Sequence, residues 1–117
     1  MAQGKRHRAE KITEHLGVRL RWAREAENKT QADMCRLLDD MDPSTWNRWE
    51  HGSRYPDPVV MVRLCERFGL TMDYLYRGKL AGVREDMALR LAARHPELVE
   101  DQLPAVARRV GARERAA

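Results

Sequence analysis

Residues 30–52, TQADMCRLLDDMDPSTWNRWEHG, decide the fold. They read as two short helices joined by an acidic turn. Thr30 carries a hydroxyl suited to cap exposed backbone N–H groups, and Asp33 follows three residues on, where the helix dipole favours a negative charge. Met34, Leu37 and Leu38 then recur at helical spacing, with Cys35 beside them. Asp42-Pro43 restarts the pattern: an N-cap acceptor, then the first helical position, where proline loses nothing. Trp46 and Trp49 stand three apart on one face of this second helix, which Gly52 stops. The opposite face carries Pro43, Ser44, Asn47 and Arg48, with Thr45 at its edge. Indoles inward and Ser, Asn and Arg outward suit a groove in double-stranded DNA. Arginine can pair bidentately with guanine, and asparagine with adenine.

Working outward, the N-terminal residues 1–9 hold Lys5, Arg6, His7 and Arg8 without apolar periodicity, and read as a flexible basic arm. Such an arm either follows phosphates or a minor groove, or is only a solvated start. From about Glu10 to Glu27 the stripe Ile12, Leu16, Leu20, Ala23 predicts a helix. Gly17 interrupts it and is read as the junction between the arm's helix and the domain's first helix. Asn28 is a left-handed C-cap candidate. After Gly52, Ser53-Arg54-Tyr55-Pro56 is a loop in which Arg54 is the phosphate donor. Asp57-Pro58 repeats the cap signal and opens a helix through Val59, Val60, Val62, Leu64, Cys65 and Phe68, ending at Gly69. Thr71 caps a short fifth helix with Met72, Leu75 and Tyr76, ending at Gly78. These apolar residues are expected in the core.

Gly17–Gly78 resembles the Cro and phage-repressor type of helix-turn-helix domain, the xenobiotic-response-element family. The resemblance lies in RLRWAREA of the first helix, Thr30-Gln31, STWNRWEHG and CERFGLTMDYLYRG. It implies an all-α, five-helix repressor-like DNA-binding domain over 10–78, followed by a helical C-terminal extension over 79–117. It further implies a phosphate anchor at Gln31, base contacts from Pro43, Ser44 and Arg48, and a structural ion pair between Arg24 and Glu50. Such a pair fixes the angle between helices and leaves guanidinium donors for a phosphate. Where the family has glycine then leucine, this chain has Asn28-Lys29, and Lys29 is assigned to a phosphate. The turn carrying Asp39, Asp40 and Asp42 departs too, being one residue longer and without its usual glycine.

In the extension, Val83, Met87 and Leu91 predict one amphipathic helix ending before Pro96. Leu98, Val99, Val106 and Val110 predict more helix around Pro104. These faces either fold back on the domain or pack on a second copy. The second is preferred, because a homodimer supplies two recognition helices.

The chain has 117 residues, room for one domain and an extension, with net charge +4 and a pI near 9.4, a mild bias towards polyanions. No apolar run approaches the ~20 residues of a membrane span. The basic N-terminus has no hydrophobic signal region, so a cytoplasmic protein is expected. Cys35 and Cys65 are read as buried thiols, with a disulfide or redox switch as the sharper alternative. His7, His15, His51 and His95 have no metal spacing, and phosphate-loop and nucleophile-elbow motifs are absent. No enzyme, metal or cofactor is expected. The predicted function is a transcriptional repressor. The rival is an antitoxin-like or adaptor module holding a protein partner with helices 79–110.

Overall fold

The computed structural model describes residues 2–100, with side chains from 12 to 99. The roles given to Lys5, Arg6, His7 and Arg8, and to residues 101–117 with Val106 and Val110, fall outside what is described. Among the described residues seven helices follow in order: α1 Ala2–Ala26, α2 Gln31–Leu37, α3 Pro43–Glu50, α4 Pro58–Phe68, α5 Met72–Arg77, α6 Glu85–Arg94 and α7 Glu97–Glu100. The fold is all-α, a helix-turn-helix domain with a helical C-terminal extension.

Local chemistry sets the helix limits. Thr30 accepts from the Asp33 N–H while Asp33 accepts from the Thr30 N–H, a complete capping box at α2. Asp42 and Asp57 cap α3 and α4 ahead of their prolines, and Thr71 caps α5. Asn28 takes the left-handed conformation (φ 54°) after α1. Asp39 and Asp40 take it in the turn (φ 59° and 52°), doing with two aspartates what one glycine does elsewhere.

α1 is the spine against which α3, α5 and α6 pack. It starts at Ala2 and is unbroken, so the backbone of residues 2–9 continues the helix and Gly17 joins no separate pieces. Leu16, Leu20 and Ala23 are buried as predicted, but Ile12 is 45% exposed and Thr13 is buried in its stead. The reason is the α3 exit. Gly52 (φ 73°) lies so close to Thr13 and Glu14 that an added Cβ would stand 2.8 Å from the Glu14 Cα, so Thr13 faces the packed side.

Gly17 has a contact reason of its own. A Cβ there would sit 2.4 Å from the Glu50 carbonyl oxygen and 2.5 Å from that of Trp49. Helix propensity alone favours Gly17→Ala by ~1 kcal/mol. Here the clash is with backbone, which has no rotamer to escape into, so overpacking of about 1–3 kcal/mol prevails. Urea unfolding of Gly17→Ala is expected to give a lower midpoint with an unchanged slope. A raised midpoint would mean that α1 and α3 separate freely.

Two further expectations are corrected. Val59 and Val62 of α4 are 60% and 47% exposed, so only Met61, Leu64 and Phe68 of that helix are fully in the core. A helix on the rim of a small domain buries one stripe, and theirs is the other. The described part of the extension folds back rather than waiting for a second copy. Val83, Met87, Leu91 and Leu98 are buried in the same core, and Trp22 of α1 stacks on His95 with ring centroids 3.7 Å apart. Arg90 bonds Glu27 at 2.5 Å, and the Arg84 N–H reaches the Gly69 carbonyl at 2.8 Å. α1 has apolar surface left over beyond the five-helix unit, and this is what covers it. A pair missed in the sequence locks α5 to α1: the Tyr74 hydroxyl donates to the Arg19 carbonyl at 3.0 Å, and Arg19 donates to the Leu75 carbonyl at 3.1 Å. Among the described residues no helix is long and apolar enough to cross a membrane.

Candidate nucleic-acid interface

Two indoles seat α3. Trp46 is fully buried and Trp49 nearly so, tilted against each other with centroids 6.0 Å apart. Because side chains three and four apart share a helix face, burying 46 and 49 turns 44, 47, 48 and 51 outward together. Pro43, Ser44, Asn47, Arg48 and His51 are all exposed, and Thr45 is intermediate. His51 was missed in the sequence, although its place three after Arg48 and four after Asn47 was legible. Its Nδ1 lies 2.8 Å from the Asn47 carbonyl oxygen.

Beneath this face lies one polar cluster. Arg24 donates from Nε to Glu50 Oε2 at 2.6 Å, from Nη2 to Glu50 Oε1 at 3.0 Å, and from Nη1 to the Lys29 carbonyl at 2.9 Å. One N–H remains on each terminal nitrogen. The Trp46 indole N–H donates to Glu50 Oε2 at 2.5 Å, and Gln31 Nε2 donates to Glu50 Oε1 at 3.1 Å. The Glu50 side chain is 3% exposed and that of Arg24 16%. Burial by itself pushes the Glu50 carboxyl up. The hydrogen bonds from Arg24, Trp46 and Gln31, with the Arg24 charge, outweigh it and hold Glu50 below the ordinary carboxylate value. A buried carboxylate with four donated bonds is therefore an anion that ties α1, α2 and α3 together.

The outward groups differ in what they have left to offer. Gln31 Nε2 also donates to Asn47 Oδ1 at 3.1 Å, so both its N–H groups are spent inside the protein. The one uncommitted end of the Gln31 side chain is therefore its carbonyl, which, like a phosphate oxygen, only accepts. Ser44 donates its hydroxyl to Asp42 Oδ2 at 2.9 Å, and its N–H to Asp42 Oδ1 at 3.0 Å. Those bonds hold Asp42 below the usual carboxylate range, and leave Ser44 facing outward as an acceptor. The Arg48 carbonyl accepts from the Ser53 N–H and hydroxyl, but its guanidinium has neither a hydrogen bond nor an ion pair among the described residues. Arg54 is likewise exposed and without such a partner, in the loop after α3. Lys29 is intermediate, next to the α2 cap. Asp39 is held by Arg63 of α4, a partner no local pattern announces, and Asp40 is exposed.

Among the described residues no cluster of His, Cys, Asp or Glu is arranged for a metal. Both cysteines are free, and burial pushes the Cys65 thiol up to about 11, far from a reactive thiolate at neutral pH.

Residues 15–75, more than half of the chain, match the sequence model of a family described as a helix-turn-helix domain. The match runs from the middle of α1 into α5 and contains every residue of the outward face and of the polar cluster beneath it. Searches of curated proteins and of solved structures return no match.

Proposed function

Because the chain belongs to the helix-turn-helix family, whose domains bind double-stranded DNA as regulators, we propose that it is a sequence-specific transcriptional repressor of the Cro and phage-repressor type, reading the major groove with α3. The observation that carries this reading is Arg48. It stands exposed and unpaired among the described residues, in the middle of a polar stripe on a helix whose other face is seated by two buried tryptophans. An ordered helix that presents an unspent guanidinium matches the O6 and N7 acceptors of guanine. Ser44 brings an acceptor beside it and Pro43 an apolar surface for a thymine methyl.

Lys29 and Arg54 flank this face from the loops before α2 and after α3, and take phosphates, positioning without reading sequence. Arg24 adds its remaining N–H groups. Two copies bind together, each filling one half-site about 34–36 Å apart, and repression follows from occupying the promoter. The rival reading as a protein-binding adaptor loses support in the described part of the extension, since the faces it needs at Val83, Met87 and Leu91 are buried within the chain.

Selection from random duplex DNA supplies the test. Arg48→Ala is expected to lose about 1–3 kcal/mol on the selected site and to relax preference at one base pair. Arg54→Ala should weaken every sequence alike and reduce the salt slope by about 1. If Arg48→Ala kept both affinity and base preference, α3 would not be the reading element.

A further inference from the structure

The geometry points to Gln31 as a positioning residue for base recognition: its amide, anchored on Glu50, turns the NH2 group of Asn47 outward, so that Asn47 meets the base edge as a hydrogen-bond donor. This rests on the proposed placement of α3 in the major groove.

The two ends of an amide have nearly the same shape, so packing does not decide which one faces the groove. Here charge decides it. Arg24 is a permanent cation and pins the Glu50 carboxylate with two bonds. A carboxylate only accepts, so the end of Gln31 that lies 3.1 Å from Glu50 Oε1 must be its NH2. The second hydrogen of that nitrogen points at Asn47, and the atom receiving it at 3.1 Å must be the carbonyl oxygen. The Asn47 nitrogen is thereby left on the far side. It has no hydrogen-bond partner among the described residues, on a residue exposed beside Arg48. Flipping either amide sets lone pair against lone pair or N–H against N–H, and loses a bond. Polarity fixed at Arg24 thus passes through Glu50 and Gln31 to the surface of α3.

The consequence is a base preference. An asparagine free to turn pairs bidentately with adenine, giving a hydrogen bond to N7 and taking one from N6. Asn47 has its oxygen turned towards Gln31 and presents N–H groups instead, which match guanine N7 and O6 or thymine O4. Gln31 itself touches no DNA in this scheme.

The test uses the full chain, duplex selection and a salt titration on the selected site. Asn47→Ala identifies the base pair concerned, as the pair whose preference disappears. The wild type is expected to choose guanine or thymine there. Gln31→Met, of similar length but without a donor, is expected to admit adenine at that pair, with discrimination reduced about tenfold and an unchanged salt slope. The proposal is overturned if Gln31→Met leaves that preference intact, or weakens all sequences uniformly with a shallower slope, as loss of a phosphate anchor would. It is also overturned if Asn47→Ala changes no preference. Arg48→Ala separates the two levels: when it acts and Gln31→Met does not, only the positioning role fails, whereas if neither acts the α3 reading fails as well. A second measurement needs no variant. In the free wild-type protein, the Gln31 side-chain N–H protons should exchange slowly and the Asn47 ones at unprotected rates, and the reverse order would refute the arrangement.

Discussion

Glu50→Ala is expected to lower the unfolding free energy by about 3–5 kcal/mol, the usual cost of leaving a buried charge without its partner. The substitution orphans three groups at once. Arg24 loses both acceptors for Nε and Nη2, the Trp46 indole N–H loses its only acceptor among the described residues, and Gln31 loses the anchor for one N–H. Against a typical domain stability of about 5–15 kcal/mol, such a loss shifts the denaturant midpoint well outside error. A pH series adds a second signature. The Glu50 carboxyl lies below its ordinary value of 4.5 in the fold. A depressed carboxylate contributes stability that is fully present above its unfolded value and is lost as pH falls through the folded one. The wild type should therefore lose stability on acidification below about pH 4.5, and Glu50→Ala should lack that part of the decline. Parallel curves for the two proteins would show that Glu50 is not the linked group.

Trp46→Ala is the other large effect, again about 3–5 kcal/mol, for removal of a fully buried indole. The loss combines a cavity under α3 with the missing donor to Glu50. Trp46→Phe separates them. It keeps most of the ring packing and should cost only the charged hydrogen bond, about 1.5–3 kcal/mol. Thermal unfolding by far-ultraviolet circular dichroism reads both. Equal losses for Ala and Phe would place the whole effect in the Glu50 bond and none in packing. Since α3 carries the outward stripe, Trp46→Ala should also weaken DNA binding in protein that remains folded, although Trp46 lies on the buried face of that helix.

The candidate site was legible in the sequence to different depths. Its outward face was, because helical periodicity and two tryptophans suffice to orient eight residues. The Arg24–Glu50 pair came from family resemblance, and nothing local in either residue announces the other across 26 positions. The bonding of Gln31 was not legible for a related reason. Residue type says that a glutamine has two N–H groups to give, but not that Glu50 and Asn47 take both.

What the sequence determined by itself were the N-terminal limits of α2 to α5 and the inward faces of α2 and α3. Caps such as Thr30, Asp42, Asp57 and Thr71 act within three residues of themselves, and the period of a helix is a property of its backbone. Tertiary structure alone decided what depends on which surfaces meet. It exposed Ile12 and buried Thr13, made Gly17 a contact rather than a joint, and turned Val59 and Val62 to solvent. It folded the extension onto Trp22 and allotted the donors of Gln31. Each of these is an outcome of close approach between segments far apart in the chain, where burial and hydrogen-bond competition override what either segment prefers on its own.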